Sequence, residues 1–423
     1  MYKQVTLKNG LRIVMKPEKH MNSMAVGIWI GVGGRFENRK NSGISHFLEH
    51  MVFKGSKSRS ADEIKRSIEG LGGTLNGFTG EECTCYWIKI LGAHQDVVFP
   101  VLSDMALYPK LSKGDMEKER SVILEEIKMY KDLPQHFVHE LLDEILWPGQ
   151  PLSMPLTGNA KSVSSMTRGD LLDFKNKCYS ARNIAIIAVG AINEERIVKD
   201  AEESFSSLSK GANLNFKKVD FKRKSPAVNF QYKDTEQTHL SLGIYGLSRF
   251  DPDRYALALI NIMLGANMSS RLFTEVREKK GLAYEIVSHV KEYQDTGLFS
   301  VSAGIDSKKV RRAVDVIIKE LGKMKLESVK NGELTRAKEF YKGQFLMMME
   351  ESLNHMVWLG DKIIGKDELL THEEILRGVQ KVTAGDIKRV AGRIFRGRNL
   401  KVAFIGPLKD KIKKDIKDIA QGL

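Results

Sequence analysis

Cysteine is scarce in this sequence of 423 residues, which contains three. Three thiols cannot build the disulfide framework of a small secreted protein. Cys83 and Cys85 lie two positions apart, which is the spacing of neighbours on one face of a strand and not the Cys-x-x-Cys spacing of zinc or redox sites. We therefore expect unreactive thiols and a reducing compartment.

Long apolar runs are also missing. No stretch of about eighteen consecutive apolar residues occurs, so no membrane-spanning helix is predicted. The first eight residues alternate polar and apolar side chains and lead into the turn signal Asn9-Gly10. This pattern predicts a β-hairpin and not a secretory leader. We accordingly expect a cytoplasmic protein without a membrane partner.

Proline and glycine, with ten and thirty-six residues, leave little room for a long low-complexity linker. Hydrophobic residues make up 42% of the chain and charged residues 28%, which is typical of a soluble globular protein. A chain of this length exceeds one ordinary hydrophobic core, so two domains are expected.

Positive charge is in excess, with 67 Lys and Arg against 53 Asp and Glu and a net charge of +14. Such a balance raises the hypothesis of nucleic-acid binding. The basic residues are, however, interleaved with acidic ones, and no arginine-rich block with aromatic stacking residues occurs. A solvated basic surface is the favoured interpretation, and no nucleic-acid partner is expected.

The order of predicted elements occurs twice along the chain. In the first half we predict a strand at 24–30, helices at 45–54 and 61–71, strands at 74–79 and 83–91, and a long helix at 113–131. In the second half we predict a strand at 240–245, helices at 253–264 and 270–280, strands at 284–290 and 297–303, and again long helices. Gly114-Asp115-Met116 and Gly332-Glu333-Leu334 open corresponding long helices in the two halves.

This repeat predicts an α+β fold of two homologous tandem domains, each a mostly antiparallel β-sheet with helices packed on one face. A stretch rich in Lys, Ser and Asn separates the halves. We therefore predict one domain at 1–210, a linker at 211–225 and a second domain at 226–423.

The segment Gly43–Met51 carries the strongest chemical signal, the pattern His-x-x-Glu-His. On a helix that advances about 100° per residue, His46, Glu49 and His50 lie on one face. Two imidazoles one turn apart can bind a single Zn²⁺, and the carboxylate between them can reach a water on the metal and take its proton. The pattern therefore predicts a hydrolytic zinc site with Glu49 as general base.

A catalytic zinc site needs a third protein ligand. The predicted helix at 113–131 offers Glu119 and Glu126, which are seven residues apart and share a face, whereas Glu125 points about 100° away. Spacing alone does not choose between the candidates.

Together these residues resemble the pitrilysin-like inverzincin zinc peptidases, and most closely the bacterial relatives of the mitochondrial processing peptidase β subunit. The family has a glutamate in a Glu-Glu-Ile context some 76 residues after His-x-x-Glu-His, and His50 and Glu126 are 76 residues apart. The resemblance implies that His46, His50 and Glu126 bind one Zn²⁺ per chain. It implies that Glu119 supports the site, and that the protein is bacterial.

The resemblance also implies substrate-binding residues. The segment 72–86 is similar to the family's edge strand beside the metal, where Asn76 and Gly77 would guide an extended peptide. The family usually has alanine at the position of Gly77. Arg277 and Tyr284 match the family's Arg-x6-Tyr element, which would hydrogen-bond the substrate backbone and the developing oxyanion. From the residues alone, Arg277 is a solvated helix residue and Tyr284 a core residue.

The second half has no His-x-x-Glu-His after its first strand, and Gln344 stands near the counterpart of Glu126. The resemblance implies a clamshell in which the active half of one chain faces the clamping half of another. Because this chain carries both sets of residues, a homodimer is expected. We therefore predict a zinc endopeptidase that cleaves unfolded peptides or short protein segments in an enclosed chamber. The alternative is a non-catalytic scaffold subunit of the same superfamily.

Overall fold

The computed structural model describes residues 2–221 and 227–408, together with 412, 414–416 and 418. In chain order its strands and α-helices are β1 (Lys3–Thr6), β2 (Arg12–Pro17), β3 (Ser23–Ile30), α1 (Ile44–Val52), α2 (Ala61–Glu69), β4 (Thr74–Thr79), β5 (Thr84–Leu91), α3 (Val98–Leu107), α4 (Lys113–Asp132), α5 (Pro134–Leu146), α6 (Ala160–Ser165), α7 (Arg168–Cys178), β6 (Ile184–Gly190), α8 (Glu194–Phe205), β7 (Ala227–Gln231), β8 (Gln237–Tyr245), α9 (Arg254–Leu264), β9 (Ala283–Glu292), β10 (Gly297–Asp306), α10 (Val310–Leu326), α11 (Asn331–Met349), α12 (Ser352–Gly365), α13 (His372–Lys381), α14 (Ala384–Ile394) and β11 (Lys401–Ile405). Among the described helices, none combines the length and the apolar character that crossing a bilayer requires.

The predicted elements agree with these bounds to within a few residues, with one difference. The segment 270–280, predicted as an ordinary helix, forms a π-helix at Phe273–Glu278. The backbone N–H of Lys279 donates to the carbonyl of Thr274, a bond that spans five residues where an α-helix has four. Such wide turns are rare and are frequent at functional sites, and hydrophobic periodicity does not reveal them.

Contacts divide the chain into two compact units that are not contiguous in sequence. The first unit comprises Met1–Lys128, Met154–Lys217 and Leu346–Leu369, and the second comprises Met129–Ser153, Lys218–Phe345 and Leu370–Leu423. Each unit therefore includes one segment from the other half of the chain, which the predicted contiguous domains do not contain. Of the predicted linker at 211–225, residues 222–225 lie outside the described part.

The sheet of the first unit has the strand order β1-β2-β6-β3-β5-β4. All neighbouring strands are antiparallel except β2 and β6, which are parallel. Strand β4 is at the edge and pairs with β5, so that Asn76 lies opposite Trp87 and Thr79 opposite Thr84. One side of β4 thus has no neighbouring strand among the described residues.

The central strand β3 reads as a continuous apolar run because both faces of this sheet are covered. Side chains of one face pack in a core with α1, α2, α3, α7 and α8. On the opposite face Trp29 packs against α12, and its indole N–H points to the sulfur of Met356 at 3.3 Å. Helix α12 belongs to the segment contributed by the second half of the chain.

The second unit has a five-stranded sheet in the order β7-β11-β8-β10-β9, antiparallel apart from the parallel pair β7 and β11. Helices α9, α10 and α14 form its main core. Val138 and Leu142 of α5 pack against Ala403 and Ile405 on the other face. The predicted α+β fold with two mostly antiparallel sheets is confirmed, and each sheet carries one further helix on its second face.

Candidate metal centre

Helix α1 presents the His-x-x-Glu-His residues, and its start is fixed by a buried carboxylate. The first N–H groups of a helix have no partner within the helix. Here the carboxylate of Glu37 accepts hydrogen bonds from the backbone N–H of Gly43 at 2.7 Å and of Ser45 at 2.9 Å. Gly43 has a φ of 89°, a left-handed conformation that favours glycine. These contacts set where α1 begins and therefore which way His46 faces.

His46, His50 and Glu126 meet at one point. Each offers one ligand atom, and these atoms lie within 4.8 Å of one another. The Nε2 atoms of His46 and His50 are each 3.7 Å from Oε2 of Glu126. No other group of this kind occurs among the described residues. Two imidazole nitrogens and one carboxylate oxygen are the donor set of a catalytic zinc site, so these residues fit the ion.

A second carboxylate orients one of these histidines. The Nδ1 atom of His50 lies 3.1 Å from Oε2 of Glu119, which is 7% exposed. Lys54 Nζ is 2.7 Å from the other oxygen of Glu119. When His50 donates from Nδ1 to this carboxylate, its Nε2 keeps the lone pair that a metal requires. Lys54 in turn balances the buried charge of Glu119.

The protonation states also suit metal binding. Burial, followed by the neighbouring His50, lowers the pKa of His46 to about 4, so that its imidazole is neutral at neutral pH. Burial raises the pKa of Glu126, an effect that His50 opposes. A bound cation would favour the ionised carboxylate.

Glu49 lies on the same helix, and one of its oxygens is held by the edge strand. The hydroxyl of Thr79 donates to Oε2 of Glu49 at 2.5 Å. Burial is the largest influence on Glu49 and raises its pKa, while the Thr79 hydrogen bond and His50 lower it. A carboxylate with an elevated pKa beside a metal site is suited to take up and return a proton.

Strand β4, the predicted substrate edge, contains Asn76 and Gly77. Asn76 is exposed, and its side-chain oxygen accepts a hydrogen bond from the N–H of Gly77 at 2.8 Å. A Cβ at Gly77 would lie 3.0 Å from the carbonyl oxygen of Cys85 and 3.2 Å from the ring of Phe53. The glycine therefore lets the edge strand pack closer than an alanine would. Whether these residues guide a substrate stays a prediction.

Arg277 and Tyr284 belong to the second compact unit. Arg277 lies on the π-helix, and its guanidinium stacks between the rings of Phe273, at 4.6 Å, and Tyr284, at 5.3 Å. They line a pocket of about 340 Å³ with residues of β9. Tyr284 is 76% exposed, so the interpretation of it as a core residue is wrong. An exposed aromatic ring paired with arginine suits contact with a ligand.

Three residues at this centre were not found from the sequence: Glu37, Lys54 and Thr79. Glu37 and Thr79 contact α1 from a loop and a strand, so no helix or strand periodicity relates them to the metal ligands. Lys54 lies one turn after His50, and this spacing alone could have suggested a shared helix face.

The cysteines agree with the expectation of unreactive thiols. Burial raises the pKa of Cys85 well above its usual value, and the three cysteines form no disulfide.

The profiles of one peptidase family match most of this chain. The profile described as insulinase (peptidase family M16) matches residues 12–160, and that of the peptidase M16 inactive domain matches residues 165–341. An uncharacterized zinc protease of Bacillus subtilis is 34% identical over 410 residues, which cover 96% of this chain and 98% of the relative. Another, from Rickettsia bellii, is 34% identical over 402 residues, covering 95% and 96%.

Solved structures agree with these matches. A protease from Helicobacter pylori superposes with a TM-score of 0.90 at 25% identity, covering 96% of this chain and 99% of that one. A peptidase M16 inactive domain from Pseudomonas fluorescens, at 19% identity and the same TM-score, covers 96% and 98% and shows the shared fold. The family predicted from the zinc motif is confirmed, and this chain belongs to peptidase family M16, the insulinase and pitrilysin-like peptidases.

Proposed function

We propose that this protein is a zinc-dependent endopeptidase with one zinc ion per chain. The observation that carries the proposal is the convergence of His46, His50 and Glu126 from two separate helices, with Glu49 on the same face of α1. Relatives named zinc proteases, matched over almost the whole chain, support it. We further propose cytoplasmic location and a bacterial source. The special closeness to relatives of the processing peptidase β subunit stays a prediction.

Each residue has a separate task in the proposed reaction. Zinc held by His46, His50 and Glu126 would acidify a water and polarise the scissile carbonyl group. Glu49 takes a proton from the attacking water and returns it to the leaving amine. Glu119 keeps His50 in the tautomer and orientation that binding needs.

The substrate is proposed to be an extended peptide. The free side of β4 offers backbone N–H and C=O groups, which can bind a peptide as an added strand with little dependence on its side chains. Only an unfolded or flexible segment can present its backbone in this way. Asn76 and Gly77 lie within this edge and would contact the peptide.

The assembly is proposed to be a homodimer that closes as a clamshell around the peptide. Arg277 and Tyr284 of the facing subunit would hydrogen-bond the substrate near the scissile bond. Their stacked arrangement and the exposure of Tyr284 support a role in contact with a ligand. The second unit has no metal group among its described residues, which leaves it free for this second task.

Glu49→Gln tests the proposal. With zinc loaded, the wild type should cleave a mixed peptide library, read by mass spectrometry, and a chelator should stop cleavage until zinc is returned. Glu49→Gln should keep about one zinc and lose roughly 10²- to 10⁴-fold in rate, since it lacks the general base. Glu125→Gln is the matched control, because Glu125 is exposed on the same helix as Glu126 and pairs with Lys128. A wild type that binds zinc but cuts no peptide would instead indicate the scaffold subunit.

A further inference from the structure

Among the described residues, one side-chain hydrogen bond joins the edge strand β4 to the helix α1, and its acceptor is Glu49. Thr79 is the last residue of β4 and pairs with Thr84 of β5 in the backbone ladder. Its hydroxyl is 2.5 Å from Oε2 of Glu49. Among the described residues, no other group makes a hydrogen bond to the Glu49 side chain. Thr79 thus holds one oxygen of this carboxylate.

A glutamate on a helix face has three rotatable bonds and can point in several directions. Proton transfer requires the carboxylate within about 2.6–3.2 Å of the proton it takes. A donor fixed on a β-strand removes much of the freedom of the carboxylate, because the strand backbone is held by its ladder to β5. With Oε2 engaged by Thr79, Oε1 is the oxygen left for water.

We propose that Thr79 is a positioning residue that orients Glu49 for catalysis and ties the general base to the strand that receives the substrate. This inference rests on the proposed endopeptidase function. Because the Thr79 hydroxyl contacts Glu49 and none of the three metal ligands, its loss should change turnover and leave metal binding intact. Its backbone remains part of the edge that binds the peptide, so KM should change little.

The decisive variant is Thr79→Val, which keeps the branched shape that a strand favours and removes only the hydroxyl. We expect kcat to fall roughly 10- to 100-fold, since misplacing a reacting group by about 1 Å can cost about 100-fold. KM should stay within about twofold, and zinc should remain at about one per chain. Thr79→Ser restores a hydroxyl at the same Cβ and should recover most of kcat.

Thr6→Val is the matched control, because Thr6 ends strand β1 at the opposite edge of the same sheet, is exposed and lies opposite Arg12. It should behave as the wild type. The inference is overturned if Thr79→Val turns over like the wild type, if Thr79→Ser is as slow as Thr79→Val, or if Thr6→Val is equally slow. Circular dichroism spectra identify a variant that has failed to fold.

A crystal structure of the zinc-loaded wild type and of Thr79→Val provides a readout that does not need activity. The wild type should show Glu49 in one rotamer against Thr79, and Thr79→Val should show it displaced or in several rotamers. Identical Glu49 positions in the two crystals would overturn the inference. If the zinc-loaded wild type cuts no peptide, the proposed function fails, and the crystals still decide whether Thr79 orients Glu49.

Discussion

The two compact units are built on similar sheets, yet they differ in what their corresponding long helices carry. In α4, counted from Gly114, the sixth and thirteenth residues are Glu119 and Glu126. In α11, counted from Gly332, the same places hold Ala337 and Gln344. Glu119 and Ala337 are both buried, but Glu119 has His50 and Lys54 as partners, whereas Ala337 packs in an apolar core. The same helix position can thus serve either chemistry or packing, depending on whether polar partners surround it.

The largest difference between the units should be in metal binding. Glu126→Gln should reduce zinc from about one per chain to near zero and abolish peptide cleavage, because a catalytic site needs three protein ligands. The corresponding change Gln344→Glu adds a carboxylate to the second unit, which has no candidate metal-binding group among its described residues, and should add no zinc. Metal analysis after dialysis measures both. Retention of zinc by Glu126→Gln would show that Glu126 is not a ligand.

Exchanging the buried residues should separate their tasks. Ala337→Glu places an unpaired charge in the core of the second unit and should destabilise it by about 3–5 kcal/mol, measured by urea unfolding. Glu119→Ala should instead weaken zinc binding by roughly 10- to 100-fold, as loss of a group that orients a ligand does, measured by chelator competition. If Ala337→Glu is as stable as the wild type, the position of Ala337 tolerates a buried carboxylate as the position of Glu119 does, and the contrast between the two surroundings is contradicted.

A pH-dependent effect should occur in the first unit at Glu37. Burial raises the pKa of this carboxyl to about 7 despite the hydrogen bonds from Gly43 and Ser45. Its folded pKa lies above its unfolded value, so its stabilising contribution is complete below pH 4.5 and is lost as the pH rises to about 7. Relative to Glu37→Gln, the wild type should lose about 3 kcal/mol over this window. Urea unfolding of the metal-free proteins from pH 4 to 8 measures the difference, and a constant difference would contradict the elevated pKa.

Replacing a glycine by alanine in each of two helices should give the smallest effects on the free energy of unfolding, and the two effects should have opposite signs. A Cβ at Gly360 of α12 would lie 2.0 Å from the Trp29 ring, so Gly360→Ala should destabilise by about 1–3 kcal/mol through overpacking. Gly343 of α11 has nothing within 4 Å of that position, and Gly343→Ala should stabilise by about 0.5–1 kcal/mol. Thermal unfolding compares them. A neutral Gly360→Ala would mean that α12 can move away from the sheet at little cost.

Most of the fold follows from local patterns. The apolar run of β3 and the regular spacing in α1 and α4 identify these elements because their side-chain periods are short. The surroundings of Glu126 are different: helical spacing leaves Glu119 and Glu126 equivalent, and only the family resemblance separates them. In the structure Glu126 lies beside the Nε2 atoms of His46 and His50, whereas Glu119 lies beside Nδ1 of His50.

The remaining features depend on contacts that no local pattern encodes. Thr79 and Glu37 reach α1 from a strand and a loop. The π-helix that carries Arg277 has the composition of an ordinary helix. The segments that contain α5 and α12 are recognisable as helices. The sequence of an amphipathic helix does not determine which sheet the helix covers, so the sequence did not predict that each helix packs in the unit formed mainly by the other half of the chain.

This exchange has a consequence for synthesis on the ribosome. The helix that carries His46 is translated early, but the sheet behind it is covered on its second face only when α12 has been made. Until translation passes Gly365, the apolar surface around Val14, Trp29 and Ile187 remains open to water, and exposed surface of this kind attracts chaperones and promotes aggregation. The nascent protein therefore carries its metal-binding helix long before the unit that holds it can be completed.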